Sequence, residues 1–557
     1  MFKANSLIWL WRLIVYLLYL ALTTYQLGLP GLHYDEAKEA GINALELLNG
    51  APITAFRGAT ITLLGQQLPL MVQDYIGALN VYLALPFLAT TGIGIPNLRV
   101  LPILTGLATL LLLERTLVAW CKFASGQVGK FASGQVGKSQ ASGKLSTINY
   151  TPLIAITLLA LSPSFIFWSR QGIFVTNLTQ PLCLLAIWQG IRYLDSGHRL
   201  ALVWSALAAG LALYTKLLAI WIIAPFTVLF MFGWFRQNRA CVQKSRWQKM
   251  DLALLLVGLI PLLPFLLFNW QTGGTLSILL GNLDQSYYGV DNRAILTNFP
   301  IRWAQLLQML QGDHFWYLGG LYSNPLAPWL VGLFILWGMW QNWRSLLYPL
   351  LLFIAAFAMS LFTISDLFIT HYALLQPFII GIVGLAFSSN KKPSFFLKTR
   401  FLSTLLGGLL LLWIGLDLNA ALRYHQALSH SGGLADHSDA TYHLAYHLQY
   451  NGFGAPIVLD WGMEAPIRYL TQGAVTPIEI FGYTSTTEPD AAFTSHLQRF
   501  LNNPNNVYLL HAPNSTVFAG RREIFIHLAH SKNLQPIRQD VFSQRDGTAL
   551  FELWKVE

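Results

Sequence analysis

The chain has 557 residues, of which 54% are hydrophobic and only 11% charged, and its mean hydropathy is +0.48. Soluble domains carry about 25% charged residues, whereas here the charges cluster and leave apolar runs of membrane-spanning length between them. A soluble enzyme, a disordered chain and a disulfide-stapled secreted domain are excluded. The sequence reads as a polytopic α-helical membrane protein.

The formal charge of +10 divides unevenly along the chain. Residues 1–420 hold 26 Lys and Arg against 13 acids, while residues 421–557 hold 9 against 12. The positive excess therefore belongs to the membrane part, where it orients loops, and no nucleic-acid partner is expected.

In chain order, the runs able to cross are 7–28, 97–120, 151–169, 174–194, 200–215, 218–235, 251–270, 328–343, 345–364, 372–389 and 401–419. The first lacks a small-residue cleavage site and reads as an anchor. Lys3 and Arg12, the stretch 121–150, RQNRACVQKSRWQK (236–249), Arg344 and KKPSFFLKTR (391–400) read as cytoplasmic. These loops agree in side only if a further apolar segment, 68–90, does not cross. About 11–13 transmembrane helices are expected, with eleven crossings preferred. The N-terminus is then cytoplasmic, and the inner helix ends carry just three acids, Glu114, Asp195 and Asp251. The octapeptide FASGQVGK stands at 123–130 and again at 131–138, so 121–150 reads as a flexible linker. After 420 the composition changes: APIVLDW (455–461), NNVYLLHA (505–512) and TALFELW (548–554) are β-prone, with helical stretches at 436–450 and 490–502. Residues 421–557 are expected to form a small extracytoplasmic α/β domain, and none of the cysteines Cys121, Cys183 and Cys241 falls in it.

The first outer loop, 29–67, opens GLHYDEAKEAGINALELLNG (31–50), with His33, Tyr34, Asp35 and Glu36 directly after the first span. Ile42, Leu45 and Leu48 then mark an amphipathic helix. Paired carboxylates at a membrane edge are costly unless solvated or used. An Asp beside a low-dielectric surface can act as a general base toward a hydroxyl, and acids at a helix start also complement its dipole.

The HYDEA motif after a first span resembles the GT-C glycosyltransferases of the protein O-mannosyltransferase and lipid A aminoarabinose transferase superfamily (glycosyltransferase families 39 and 83). NLRVLPILTGLATLLLLERTL (97–117), LSPSFIFWSRQGIFVTNLTQPLCLLAIW (161–188), AAGLALYTKLLAIWIIAP (208–225) and FITHYALLQPF (368–378) are similar to further family segments, in the same order. The resemblance implies the GT-C fold. It also implies transfer of a sugar from a polyprenyl-phosphate donor to a lipid, glycan or protein hydroxyl at the outer face, with inversion. It makes Asp35 the catalytic base and Glu36 the residue that positions the acceptor or Asp35. A departing phosphate calls for fixed cations, and Arg170, Lys216, His371 and Tyr372 are the candidates; Lys216 reads equally as an interfacial lysine.

Two positions depart from the aminoarabinose branch. That branch carries Glu-Lys-Pro late in the first loop, where this chain reads Gln66, Gln67, Leu68 and Pro69, and an acid where Asn177 stands. Its donor and its metal site are therefore not carried over. The resemblance fixes no cofactor, and a divalent metal stays open. His33 and Tyr34, with Asp284, Tyr287, Asp313 and His314 in the outer loop 271–327, are candidates for sugar or acceptor contact. His443 and His447 have the spacing of two metal ligands on one helix face but no third partner. A transporter or flippase of lipid-linked glycans is the alternative function class; it predicts midplane charges and internal pseudo-symmetry, which the sequence does not display.

Overall fold

A computed structural model describes residues 2–133, 150–171, 176–239, 245–281, 291–313, 322–362, 369–388, 396–483 and 485–557. Among the described residues, seven helices are long and apolar enough to cross a membrane: Ser6–Thr24, Ile95–Ser125, Leu217–Arg236, Met250–Thr272, Ala327–Ser360, Ile369–Ala386 and Thr404–Ser431. Thr151–Leu161 and Pro163–Gln171, bent by 64°, make an eighth if counted as one span.

This is fewer than the expected 11–13, although each expected run overlaps helix among the described residues. Arg199–Thr215 has 17 residues, which is short for the roughly 20 that span a bilayer. Thr176–Ser196 is diluted by Gln180, Gln189, Arg192 and Asp195. The runs 328–343 and 345–364 join in Ala327–Ser360, interrupted at Asn342, whose φ of −154° and ψ of 60° leave the helical region. The bundle is a multi-pass membrane assembly with Ile369–Ala386 at its centre, 89% buried, and Met250–Thr272 at its margin, only 11% buried.

Segment 68–90 does not traverse the bundle. It forms short strands followed by the 13-residue helix Leu79–Thr91, about 20 Å long at 1.5 Å per residue. Both ends are tied to the same side: Ile76 bridges Lys216, and Tyr469 of the C-terminal part donates to the Gly94 carbonyl. At the opposite side the three acids expected at inner helix ends each meet a cation, Arg12–Glu114 at 2.6 Å, Lys122–Asp195 at 3.1 Å and Arg199–Asp251 at 2.9 Å. Helix Ile95–Ser133 continues through the first FASGQVGK copy. Residues 134–149, with most of the second copy, lie outside the described residues.

The first loop contributes strands β1 (Thr60–Leu63), β2 (Gln66–Pro69), β3 (Met71–Gln73) and β4 (Ile76–Gly77), paired as two antiparallel hairpins. The last apolar helix runs to Ser431. Beyond it lies a five-stranded sheet built from β5 (Ile457–Val458), β6 (Ile478–Glu479), β7 (Tyr508–His511), β8 (Pro536–Ser543) and β9 (Ala549–Val556), in the order β6-β5-β7-β9-β8. The first three are parallel and β9 is antiparallel to both neighbours. Side chains alternate between faces. Val458, Leu509 and Leu553 pack under Ala440–Tyr450 and Glu464–Leu470, while Ile457, Leu459, Tyr508 and Leu510 pack under Ala491–Phe500 and Arg521–Ser531. This sandwich stands on the side of the bundle that bears the first loop.

Candidate functional site

The site begins where the first span ends. Tyr34–Glu36 forms a single helical turn capped by His33, whose Nδ1 accepts a hydrogen bond from the Asp35 amide at 3.1 Å. The chain continues as a π-helix, Ala37–Ile42, and then as the α-helix Asn43–Asn49, closed by Gly50 with φ +63°. Ile42 and Leu45 are buried and Leu48 half-buried, as the amphipathic pattern predicts. π-turns are uncommon and recur at functional sites.

The two adjacent carboxylates part company. Glu36 is buried and forms a two-point pair with buried Arg99, Nε to Oε1 at 2.7 Å and Nη2 to Oε2 at 2.9 Å. Arg99 also donates to the Leu27 carbonyl at 2.9 Å. Both oxygens of Glu36 are thus engaged by one guanidinium, which fixes the entry to the motif rather than presenting Glu36 to a substrate. Gly31 donates to the His437 carbonyl at 2.7 Å, and a Cβ on Gly31 would fall 2.1 Å from the Ser438 carbonyl oxygen. Only glycine permits that approach of the motif to the segment after the last span.

Asp35 points elsewhere. Burial pushes its carboxyl above the usual aspartate range; His33, Lys38 and Lys216 pull it back, and Asp436 adds to the rise. Lys216 is fully buried at a break between helices Arg199–Thr215 and Ile220–Arg239. Its backbone is extended, with φ −155° and ψ 124°, and bridges Ile76, while Leu217 donates to the Tyr75 carbonyl at 3.0 Å. Irregular backbone at membrane depth is tolerated where protein satisfies it, and here the β3–β4 hairpin does so. The charge of Lys216 interacts with both Glu39 and Asp35. A carboxylate from the first loop and a lysine 181 residues further along the chain (216 minus 35) thereby share one electrostatic environment.

The other expected cations lie apart. Arg170 is fully buried, and its Nη2 donates to the carbonyls of Tyr25 at 2.6 Å, Gln26 at 2.8 Å and Leu29 at 3.3 Å. Its Nη1 donates to the Tyr424 hydroxyl at 3.1 Å and lies 3.3 Å from His425. In this geometry the guanidinium ties the turn after the first span to the last helix. His371 and Tyr372 are buried beside Ile295–Gln311. The Tyr372 hydroxyl donates to Ser360 at 3.1 Å, and its ring meets Trp221 at 5.9 Å. Asp313 is partly exposed, with its carboxyl pushed up by burial. Asp284, Tyr287 and His314 lie outside the described residues. His447 pairs with Asp540 at 3.3 Å. Among the described residues no group of three His, Cys, Asp or Glu is disposed to hold a metal ion.

A cavity of about 440 Å³ adjoins the motif, lined by Tyr34, Lys38, Arg57, Glu464, Arg468 and Glu479 among others. The C-terminal sandwich forms one wall of it. Trp461, just beyond β5, stands 5.0 Å from the Tyr34 ring and 5.9 Å from that of His33, and His437 stacks on His33 at 4.6 Å. Arg468 bridges to Glu46 at 2.7 Å. The Lys38 ammonium donates to the Tyr34 hydroxyl at 3.0 Å, and Tyr483 donates to Glu479 at 3.0 Å. Burial and the nearby Glu464 push the Glu479 carboxyl up to about 7, against the pull of Lys38, Tyr483 and Tyr34. Ligands of α/β sheets lie beyond the carboxyl ends of parallel strands, and that edge of this sheet faces the first loop.

Sequence reasoning missed several of these residues. Arg99 could have been found as a lone charge near the start of an apolar helix. Arg302, buried on Ile295–Gln311 and acting on Tyr372, carried the same signal. Glu39, Trp461 and Glu479 carried none, since only the fold brings them to the motif.

No family model matches the chain, and no curated protein matches it either. Solved structures do. The ArnT of Cupriavidus metallidurans in the apo state aligns over 99% of this chain and 98% of its own, at 11% identity and a TM-score of 0.57. The same protein bound to undecaprenyl phosphate aligns over the same shares, at 12% identity and 0.56. An oligosaccharyltransferase of Archaeoglobus fulgidus, in complex with zinc and sulfate, covers 94% of this chain and 67% of its own, at 12% identity and 0.47. At such identities the ArnT likeness concerns architecture, from the first span through the C-terminal sandwich: this chain is a multi-pass membrane protein with the GT-C fold.

Proposed function

We propose that the protein is a membrane glycosyltransferase that moves a sugar from a polyprenyl-phosphate donor to an acceptor hydroxyl on the outer face, with Asp35 as general base. The observation that carries this reading is the shared environment of Asp35 and Lys216 at the break between two helices. The Asp35 carboxylate takes the acceptor's hydroxyl proton. The acceptor oxygen then attacks the anomeric carbon, and the bond to the phosphate oxygen breaks with its electron pair on the departing phosphate. Lys216 balances that growing charge in a buried setting, where a fixed cation acts most strongly. A base with a raised pKa holds the transferred proton more readily.

Glu36, Arg99 and Arg170 are positioning residues in this scheme. The Glu36–Arg99 pair sets the direction from which Asp35 enters, and Arg170 holds the turn before it. Arg302, His371 and Tyr372 offer a second polar cluster for the donor. The cavity beside Tyr34 and Lys38 is the acceptor's approach to Asp35, and its volume falls in the ordinary range for ligand sites. The GT-C fold and the undecaprenyl phosphate bound by the ArnT of Cupriavidus metallidurans support a lipid-phosphate donor.

The test is the Asp35→Asn variant in membranes supplied with lipid-linked sugars, alongside mass spectrometry of envelope glycolipids, glycans and glycoproteins with and without the protein. Loss of the modified product in both arms is expected. Full transfer by the Asp35→Asn variant would overturn the assignment of the base.

A further inference from the structure

The β1–β2 hairpin of the first loop breaks a rule of hairpin construction. Leu63 faces Gln66 across the ladder, so Leu64 and Gly65 form a two-residue turn, with φ +51° and +81°. Such turns need left-handed backbone at both positions, and Asn-Gly or Asp-Gly supplies it at least cost. Here the first position is a leucine, which adopts that conformation reluctantly, and its side chain is 100% exposed. Ile61 and Leu63 on the same hairpin are 41% and 57% exposed. An apolar tip in the place of a polar turn residue loses both locally and in water. Local rules broken without visible compensation mark functional positions.

The base of the hairpin shows what covers the tip. Ala59, Leu70 and Met71 pack with Phe268, Leu262, Phe265 and Leu267, all four from the last turns of the span Met250–Thr272. Gln271 donates to the Thr60 carbonyl at 3.1 Å, and the neighbouring Trp270 is 83% exposed. That span is the least buried of those among the described residues, so its flank faces lipid. Tryptophan at the end of such a span belongs to the belt between hydrocarbon and headgroups. The hairpin therefore rises from a lipid-facing helix at headgroup depth, next to an interfacial tryptophan.

We propose that the β1–β2 tip, Ile61, Leu63 and Leu64, dips into the leaflet in which Met250–Thr272 ends and anchors the first loop to lipid. From β2 the chain passes through β3 to β4, whose Ile76 bridges Lys216 and whose preceding Tyr75 receives the Leu217 amide. Arg57 and Asp74 close the base with a 2.7 Å ion pair. The anchor thus sets the height of the Lys216 backbone relative to the lipid headgroups. The inference needs only that Met250–Thr272 crosses a bilayer; it does not depend on glycosyl transfer.

The test uses the full chain in nanodiscs of phosphatidylethanolamine and phosphatidylglycerol, with Cys121→Ser and Cys241→Ser as background, Cys183 being fully buried. A spin label is placed at Leu64→Cys, with Leu259→Cys on the lipid-facing span and Tyr450→Cys on the exposed C-terminal helix as references. Relaxation by oxygen and by a water-soluble nickel chelate then reports depth without any substrate. The expected result is chelate exclusion and oxygen access at 64 that lie between those at 259 and 450, well clear of the latter. Chelate access equal to that at 450 would overturn the proposal. Low access to both reagents would also overturn it, because the tip would then be covered by protein.

Discussion

Arg170 and Lys216 are both fully buried cations at helix ends on the same side of the bundle, and the sequence marks both for the same task. The fold treats them differently. Arg170 faces neutral acceptors, the carbonyls of Tyr25, Gln26 and Leu29 and the hydroxyl of Tyr424. Lys216 interacts through its charge with Glu39 and Asp35. A guanidinium spreads its charge over a rigid fork that peptide dipoles can satisfy, whereas an ammonium is a compact point charge. The first arrangement holds chain segments together. The second keeps opposite charges in a dry place, where a change in one must be felt by the other. Residue type at a membrane edge nominates a cation; its partners decide between scaffold and chemistry.

The comparison can be broken by mutation. Asp35→Asn should lower transfer the most, by about 10²–10⁴-fold for loss of a general base, while the amount of folded protein in membranes is unchanged. Lys216→Met should follow, with a loss of roughly 10²–10³-fold, the scale for removing one fixed stabiliser of developing charge, and Lys216→Arg should restore only part of it. Arg170→Met belongs to another class. It leaves three carbonyls and a hydroxyl without their donor, so it should cut the yield of folded protein in detergent while the rate per folded molecule stays near that of the parent. If Arg170→Met instead folds normally and loses rate by the same factor as Lys216→Met, the contrast between the two cations fails.

Much of the fold was legible because membrane insertion writes itself in one dimension. Apolar length, basic loops and the composition change after 420 are all sequence-local. What was not legible depends on packing. The continuous appearance of 151–171 hides a 64° bend, and the break within Ala327–Ser360 falls at one residue, Asn342. In the site, HYDEA was visible as an acidic motif, but nothing in it distinguishes Glu36, paired with Arg99, from Asp35. That distinction depends on a helix beginning some 60 residues later. The C-terminal wall was invisible for the same reason: Trp461 and Glu479 have no local feature that points to residue 34.

The wall offers a milder way to sharpen the contrast. Glu479 has its carboxyl raised to about 7 from an ordinary 4.5, and Glu464 is raised as well, mainly by burial. A raised acid favours the protonated form in the folded state, so the fold binds more protons than the unfolded chain between those values. Stability then falls as pH rises from about 4.5 to about 7 and levels off above. The groups facing Glu479 are Glu464, Lys38, Tyr34 and Tyr483. Thermal midpoints of the purified chain should decline over that window, and Glu479→Gln should flatten most of the slope while Glu464 retains the rest. A slope unchanged in Glu479→Gln would show that the loop and the sandwich are not coupled through this carboxyl.

The smallest expected effect tests whether the sandwich fixes the loop by shape. Gly41 lies in the π-helix, and a Cβ built on it would stand 2.7 Å from Cδ2 of the Tyr469 ring. That ring is held in turn by its hydroxyl bond to the Gly94 carbonyl at 3.2 Å, so it cannot swing away freely. Gly41→Ala should therefore cost about 1–3 kcal/mol, the range for overpacking, read as a lower thermal midpoint. Because glycine is itself a poor helix residue, alanine brings back up to about 1 kcal/mol, and the net loss should sit at the low end. Pairing it with Tyr469→Leu, which removes the opposing ring, should make alanine neutral or favourable at 41. If Gly41→Ala is equally harmful with and without the Tyr469 ring, the clash lies elsewhere and the loop is not shaped by the sandwich.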